Sequence, residues 1–180
     1  MRHYPVQYMP LLALALLTLA PAAAPASEDA LSRIADLRPV AGWSVLPEST
    51  AYGSGDGLAG IYNGGYEEYT RAGVVDALRR IYRNGEEYVE VTVHAMQSAR
   101  SAREFLADRY RMEKGGAAPD DPGWARFTAS GAGSTTAYAV GGVYYITVVS
   151  YHDGERGEAQ TGPFVRALSA NAAKLAGRPE

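Results

Sequence analysis

The sequence predicts an α+β fold in which an antiparallel sheet of about five strands packs against helices, in the order α-α-β-β-α-β-β-β-α. Four segments repeat apolar residues at helical spacing, and five others alternate or run continuously apolar, as strands do. Two hairpin signals, Asn84-Gly85 and Gly141-Gly142, join strand-like runs directly. Because such short turns connect antiparallel neighbours, we expect an antiparallel sheet.

The first 26 residues are organised like a cleaved signal peptide. Arg2 precedes an uncharged run, Leu11 to Ala20, that is shorter than the ~20 residues needed to cross a bilayer. Ala24-Pro25-Ala26 supplies the small residues that signal peptidase reads. We expect cleavage after Ala26, one domain over residues 27–180, and a periplasmic or secreted protein. A retained membrane anchor is the alternative. The chain has no Cys, so neither an acylated anchor nor a disulfide is expected.

Two predicted helices precede the sheet. Residues 28–37 carry Leu31, Ile34 and Leu37 at helical spacing and end before Pro39. Residues 56–73 also place apolar and aromatic side chains on one helical face. The glycines at 57, 60, 64 and 65 interrupt that segment, and each costs ~1 kcal/mol relative to Ala in a helix interior. The spacing of the apolar residues therefore predicts a helix, whereas the low helix propensity of the glycines opposes one.

The first predicted hairpin runs through residues 74–97. Its second strand alternates apolar residues with Tyr88, Glu90, Thr92 and His94, which predicts one core face and one polar face. Ser98 is expected to cap a helix that extends to about residue 111.

An exposed loop is predicted over residues 114–123, where Gly and Pro are frequent. Strands are then expected over residues 124–130, 135–140 and 143–151. The last of these is apolar on both faces, as a central strand should be. After a charged turn, Thr161 is expected to cap the final helix. Strand, turn, strand and helix thus occur twice, which indicates a weak ββα/ββα pseudo-repeat.

Composition excludes several functional classes. The net charge is −3 and no basic block is present, so nucleic acid is not an expected partner. Neither a Walker A loop nor a G-x-S-x-G or H-E-x-x-H motif occurs, and no cofactor is expected. Beyond the leader the two histidines are His94 and His152, too few for a three-ligand catalytic zinc site, so no metal is predicted.

Tyrosine is the unusual residue in the composition, with 13 Tyr against three Phe. An aromatic face with a hydroxyl suits glycan, peptide or aromatic ligands. The predicted ligand-binding residues are Tyr62, Asn63, Tyr66, Glu67 and Tyr69. The alternative interpretation makes these tyrosines core residues whose hydroxyls reach the rim.

The same segment carries a family resemblance. Leu58 to Val74 resembles a family of exported bacterial proteins of unknown function with a motif of the form L-x-x-x-I-N-G-G-A-E-x-Y-x-x-x-G-F. The matching residues are Asn63, Gly64, Gly65, Glu67, Tyr69 and Gly73, whereas Tyr62, Tyr66 and Val74 depart from the motif. The resemblance implies a shared fold and an envelope location, and it implies no reaction.

Three functions remain open at this point. The favoured one is a non-enzymatic envelope module that binds an unknown small molecule, glycan or envelope protein with the Tyr62 to Tyr69 segment and the polar strand face. The alternative is a carboxylate-dependent hydrolase that uses Glu67, with His94, as acid or base; Glu67 would then need an apolar pocket that raises its pKa. The third is a structural subunit that pairs through an exposed sheet edge.

Overall fold

The computed structural model describes residues 27–37, 40–62, 64–121 and 123–177. The predicted signal peptide and Asn63 lie outside the described residues. The helices are α1 (Glu28–Ile34), α2 (Tyr66–Arg71), α3 (Ala99–Lys114) and α4 (Gly154–Ala176), with a 3₁₀ helix over Gly55–Gly60. The strands are β1 (Ser44–Val45), β2 (Ala51–Ser54), β3 (Val74–Asn84), β4 (Glu87–Met96), β5 (Arg126–Gly131), β6 (Ser134–Gly141) and β7 (Tyr144–Ser150).

These strands form one antiparallel sheet in the order β1-β3-β4-β7-β6-β5, with β2 also paired to the outer side of β3. The α+β class and the antiparallel sheet are confirmed. Within the described ranges the sheet has seven strands rather than about five. The additional strands, β1 and β2, are two and four residues long, and they depend on pairing with β3 rather than on an alternating pattern of their own.

Each face of the sheet is covered by helices. On one side, here called the α4 face, α1 and α4 pack over Val91, Val93 and Ile146. On the other, the α3 face, the 3₁₀ helix and α3 pack over Ala77 and Tyr145. Strand β7 lies between β4 and β6 and contributes to both cores, so its predicted central position is confirmed.

The glycine-interrupted helix predicted over residues 56–73 was wrong as one element. The chain forms the 3₁₀ helix, leaves helical geometry, and starts again at α2. Gly64 and Gly65 adopt φ values of +92° and +71°, left-handed conformations that glycine tolerates because it has no Cβ. At this break the low helix propensity of glycine, and not the helical spacing of the apolar residues, determined the structure.

The start of the last helix was also predicted wrongly. Helix α4 begins at Gly154, directly after Asp153, and Thr161 lies buried inside it. The charged, Gly-containing run indicated a turn, yet Gly157 is where the helix touches β6. A Cβ at this position would lie 2.1 Å from Thr135 Oγ1, so the glycine permits the close approach.

The other turn and cap signals are confirmed. Gly85 and Gly142 occupy the hairpin turns with φ of +60° and +59°, and Ser98 caps α3 in a capping box with Ser101. The β3-β4-α3 and β6-β7-α4 units follow one another as predicted, but α3 and α4 cover opposite faces of the sheet.

Candidate functional site

A cavity of about 310 Å³ opens on the α3 face. Its floor is the sheet, and its walls come from α3 and from the chain between the 3₁₀ helix and α2. The lining residues belong to seven segments, so only the folded chain brings them together. The lining residues that matter most for the site are Tyr62, Tyr69, Arg79, Glu90, Thr92, His94, Arg109, Thr136, Tyr138, Tyr145 and Thr147.

Strand register sets the chemistry of the floor. The middle row crosses four strands, with Arg79 opposite Thr92, Thr92 opposite Thr147, and Thr147 opposite Tyr138. Because residues two apart on a strand point to the same face, the adjacent rows face the cavity too. One of these rows runs Glu90, Val149, Thr136, and the other begins His94, Tyr145. The floor is therefore polar, with Glu90 toward one end and His94 toward the other.

The tyrosine pair, Tyr62 and Tyr69, forms one wall. Their rings stack with centroids 3.9 Å apart and 11° between the planes. Arg109 of α3 lies 5.3 Å above the Tyr69 ring and forms a salt bridge of 3.0 Å with Glu68. Stacking and this ion pair together fix the wall against α3.

His94 lies at the base of that wall and is 1% exposed. Its Nδ1 is 2.8 Å from the Tyr62 hydroxyl. Its Nε2 is buried and has no hydrogen-bond partner among the described residues. Burial, and secondarily the charge of Arg109, lower the pKa of His94 to about 3, so the imidazole is neutral near pH 7. Burial also raises the pKa of Tyr62, which keeps its hydroxyl protonated.

Arg79 connects the floor to the wall. One Nη donates to the backbone carbonyl of Ile61 at 3.0 Å, at the end of the 3₁₀ helix. Its Nε is buried without a hydrogen-bond partner in the part of the chain that is described. A guanidinium presents five donors in a fixed planar arrangement, so Arg79 retains unused donor capacity beside the cavity.

The structure divides the predicted ligand-binding residues. Tyr62 and Tyr69 line the cavity. Tyr66 is half-buried against the core of the α3 face and does not line it, and Asn63 lies outside the described residues. Glu67 is exposed on α2, so the apolar pocket that a general acid would need does not surround it; that part of the hydrolase hypothesis was wrong.

The polar face predicted for β4 lies in the cavity from Glu90 to His94, whereas Tyr88 is 39% exposed beyond it. Sequence reasoning missed Arg79 and Arg109. Arg79 could have been found from its position, since it directly follows the apolar Leu78 in β3, and successive strand residues face opposite sides of a sheet. Within the described ranges, no group of three or more His, Cys, Asp or Glu side chains is arranged to hold a metal ion.

Comparison with known proteins identifies the fold and no family. No family model matches the chain, and no curated protein matches it. Its fold is similar to that of a solved bacterial domain. The extracellular domain of PknH from Mycobacterium tuberculosis superposes with a TM-score of 0.50 at 16% identity, over 84% of this chain and 98% of that one. Among the described helices, none is both long and apolar enough to cross a bilayer.

Proposed function

We propose that this chain is an exported, non-enzymatic binding module of the cell envelope, and that the cavity on the α3 face holds a small molecule. The observation that carries the proposal is the pair of buried nitrogens, Arg79 Nε and His94 Nε2, which lack partners and belong to cavity-lining residues. An unsatisfied buried polar group costs about 1–3 kcal/mol, and native proteins pair nearly all of them. A ligand that supplies acceptors would remove this cost.

The size and polarity of the cavity support a compact ligand. Its volume is near the lower end of the ~300–1,000 Å³ range of ligand pockets. The hydroxyls of Thr92 and Thr147 make no hydrogen bond to described residues and adjoin each other across β4 and β7. The tyrosine pair adds an aromatic wall of the kind that sugars and other polar ring compounds contact.

Export is the second part of the proposal. It is supported by the leader sequence before Ser27 and by the likeness to a domain described as extracellular. The same proposal includes that this chain belongs to the family of exported proteins whose motif the segment Leu58 to Val74 resembles.

The hydrolase alternative has little support from the site. Glu90 is the one acidic residue that lines the cavity among the described residues, and it is four positions from His94 on the same strand. That spacing corresponds to ~13 Å at ~3.3 Å per residue. The paired carboxyl groups of glycosidases, for comparison, lie only ~5–9.5 Å apart. The two side chains are therefore poorly placed to act on one bond.

Thermal-shift and calorimetric binding assays test the proposal on protein expressed with its own leader. The panel contains sugars, sugar acids, amino acids and muropeptides. For any ligand found, Thr147→Val should weaken binding roughly 2- to 12-fold, the equivalent of one hydrogen bond. Thr128→Val on β5 is the matched control, because Thr128 lies outside this cavity, and it should bind normally. A ligand whose affinity Thr147→Val leaves unchanged would place the site elsewhere.

A further inference from the structure

Three buried side-chain atoms lack hydrogen-bond partners among the described residues: Asp76 Oδ2, Arg79 Nε and His94 Nε2. Asp76 is paired with Ala95, which belongs to the core of the α4 face, so its carboxylate is on the other side of the sheet. The two unpartnered atoms on the cavity side are both nitrogens. An arginine Nε is always a donor. Whether His94 Nε2 is a donor or an acceptor therefore decides which hydrogen-bonding groups a ligand must carry.

The contact between Tyr62 and His94 indicates that role. Between a phenol hydroxyl and a neutral imidazole nitrogen, the nitrogen is the better acceptor, because imidazole is a far stronger base than a phenol oxygen. The hydroxyl of Tyr62 therefore donates to His94 Nδ1 across 2.8 Å. A neutral imidazole carries one proton, so Nε2 bears the hydrogen and is a second donor without an acceptor.

Strand register brings the two donors together. Ala77 is opposite His94, and Arg79 is opposite Thr92, so Arg79 and His94 are diagonal neighbours on the same face of β3 and β4. Diagonal neighbours are ~7–8 Å apart at Cα, and the long Arg side chain can cover that separation. Both donors can thus serve one bound group once the Arg79 and His94 side chains turn enough to open these almost fully buried nitrogens to the cavity.

Arg79 and Glu90 both line the cavity but form no ion pair with each other, so the Arg79 guanidinium lacks a charged acceptor among the described residues. Arg109 is neutralised by Glu68, its partner in the 3.0 Å salt bridge. Arg79 makes no ion pair with a described residue, and its hydrogen-bond acceptor, the Ile61 carbonyl, is neutral. A partly buried cation is best compensated by an opposite charge that also accepts hydrogen bonds.

We propose that the cavity binds a small carboxylic acid, whose carboxylate accepts hydrogen bonds from Arg79 Nε and His94 Nε2. Glu90 is an acceptor ~13 Å from His94 along β4, so a ligand long enough to reach it carries a hydroxyl or ammonium donor at its other end. The class is thus hydroxy acids, sugar acids and amino acids. This inference rests on the proposed function, because it assigns the ligand chemistry of the same cavity.

Matched pairs of probes test it by calorimetry: lactate against lactamide, alanine against alaninamide, and glucuronate against glucose. At least one acid should bind, and its neutral counterpart should bind about 10- to 100-fold more weakly, as expected for loss of charge-assisted hydrogen bonds. Arg79→Gln should weaken binding of the acid by a similar factor. Arg166→Gln removes the same charge from an exposed position on α4 and should have no effect.

The tautomer of His94 provides a measurement that needs no variant. Nitrogen-15 spectra of the imidazoles should show His94 protonated at Nε2, with Nδ1 as an acceptor, and the Nε2 signal should shift when the acid binds. Protonation at Nδ1 would overturn the inference, because Nε2 would then be an acceptor. Equal binding of acids and neutral counterparts would overturn it and leave the proposed function standing, whereas no binding of any compound in either panel would contradict both.

Discussion

The hydrogen bond between Tyr62 and His94 predicts a specific difference between two neighbouring tyrosines. Tyr62→Phe keeps the ring that stacks on Tyr69 but removes the donor 2.8 Å from His94 Nδ1. Since the imidazole is 1% exposed, water cannot readily replace that donor. Tyr69→Phe is the matched control, because the Tyr69 hydroxyl has no hydrogen-bond partner among the described residues.

The magnitude follows from what each substitution leaves behind. Tyr62→Phe leaves both nitrogens of a buried imidazole unpartnered, which should lower the free energy of unfolding by about 1–3 kcal/mol. A domain of this size loses about 2–4 °C in Tm for each kcal/mol. Tyr69→Phe should stay within about 0.5 kcal/mol of the parent.

Urea unfolding of both variants and the parent measures the effect, provided that the m value does not change. Equal stability of the two variants would refute the assigned hydrogen bond. So would a greater loss in Tyr69→Phe, because that result would place the buried donor on the other ring.

Two further predictions concern the frame around the site. Gly157→Ala should destabilise the protein by about 1–3 kcal/mol or more, because its Cβ would lie 2.1 Å from Thr135 Oγ1. In the control variant Gly162→Ala, on the same helix, the new Cβ would meet nothing closer than 3.4 Å, so this variant should be neutral or stabilising. Urea unfolding curves in which the two variants behave alike would contradict the packing of α4 on β6. Hydrogen bonds, first from Gln160, hold the pKa of Glu87 at about 2, below its usual 4.5, so its contribution to stability is present above pH 4.5 and is lost as the pH falls toward 2. The difference in Tm between the parent and Glu87→Gln should therefore shrink over that interval, and a constant difference would exclude this network.

Local signals in the sequence were sufficient for most of the fold. The Asn84-Gly85 turn and the alternation of β4 defined the first hairpin, and Ser98 defined the start of α3. These features depend on neighbouring residues, which a sequence displays directly. By contrast, β1 and β2 exist through pairing with β3, and α4 begins early because Gly157 lets it approach β6. Such contacts join distant positions and leave no periodic pattern.

The candidate site was predictable in part for the same reason. Alternation placed Thr92 and His94 on one face. Helical spacing also suggested Tyr62 and Tyr69 as neighbours, but the helix is broken between them, and their rings stack as a contact between two segments. The cavity also needs Thr147 and Arg79, which reach it through the register of β7 and β3 against β4. Register across a sheet is set by the whole fold, so the sequence indicated the aromatic wall and half of the floor without showing that they enclose a space.

Methyl NMR of the threonines tests the central claim, that the cavity on the α3 face is the binding site. The floor contributes Thr92, Thr136 and Thr147, while Thr128 and Thr161 lie in a separate surface depression beside α4. Titration with the sugar acids and amino acids should shift the three floor methyls along one saturable curve and leave the other two unchanged. Shifts confined to Thr128 and Thr161, or no saturable shift of the floor methyls with any acid, would contradict the assignment.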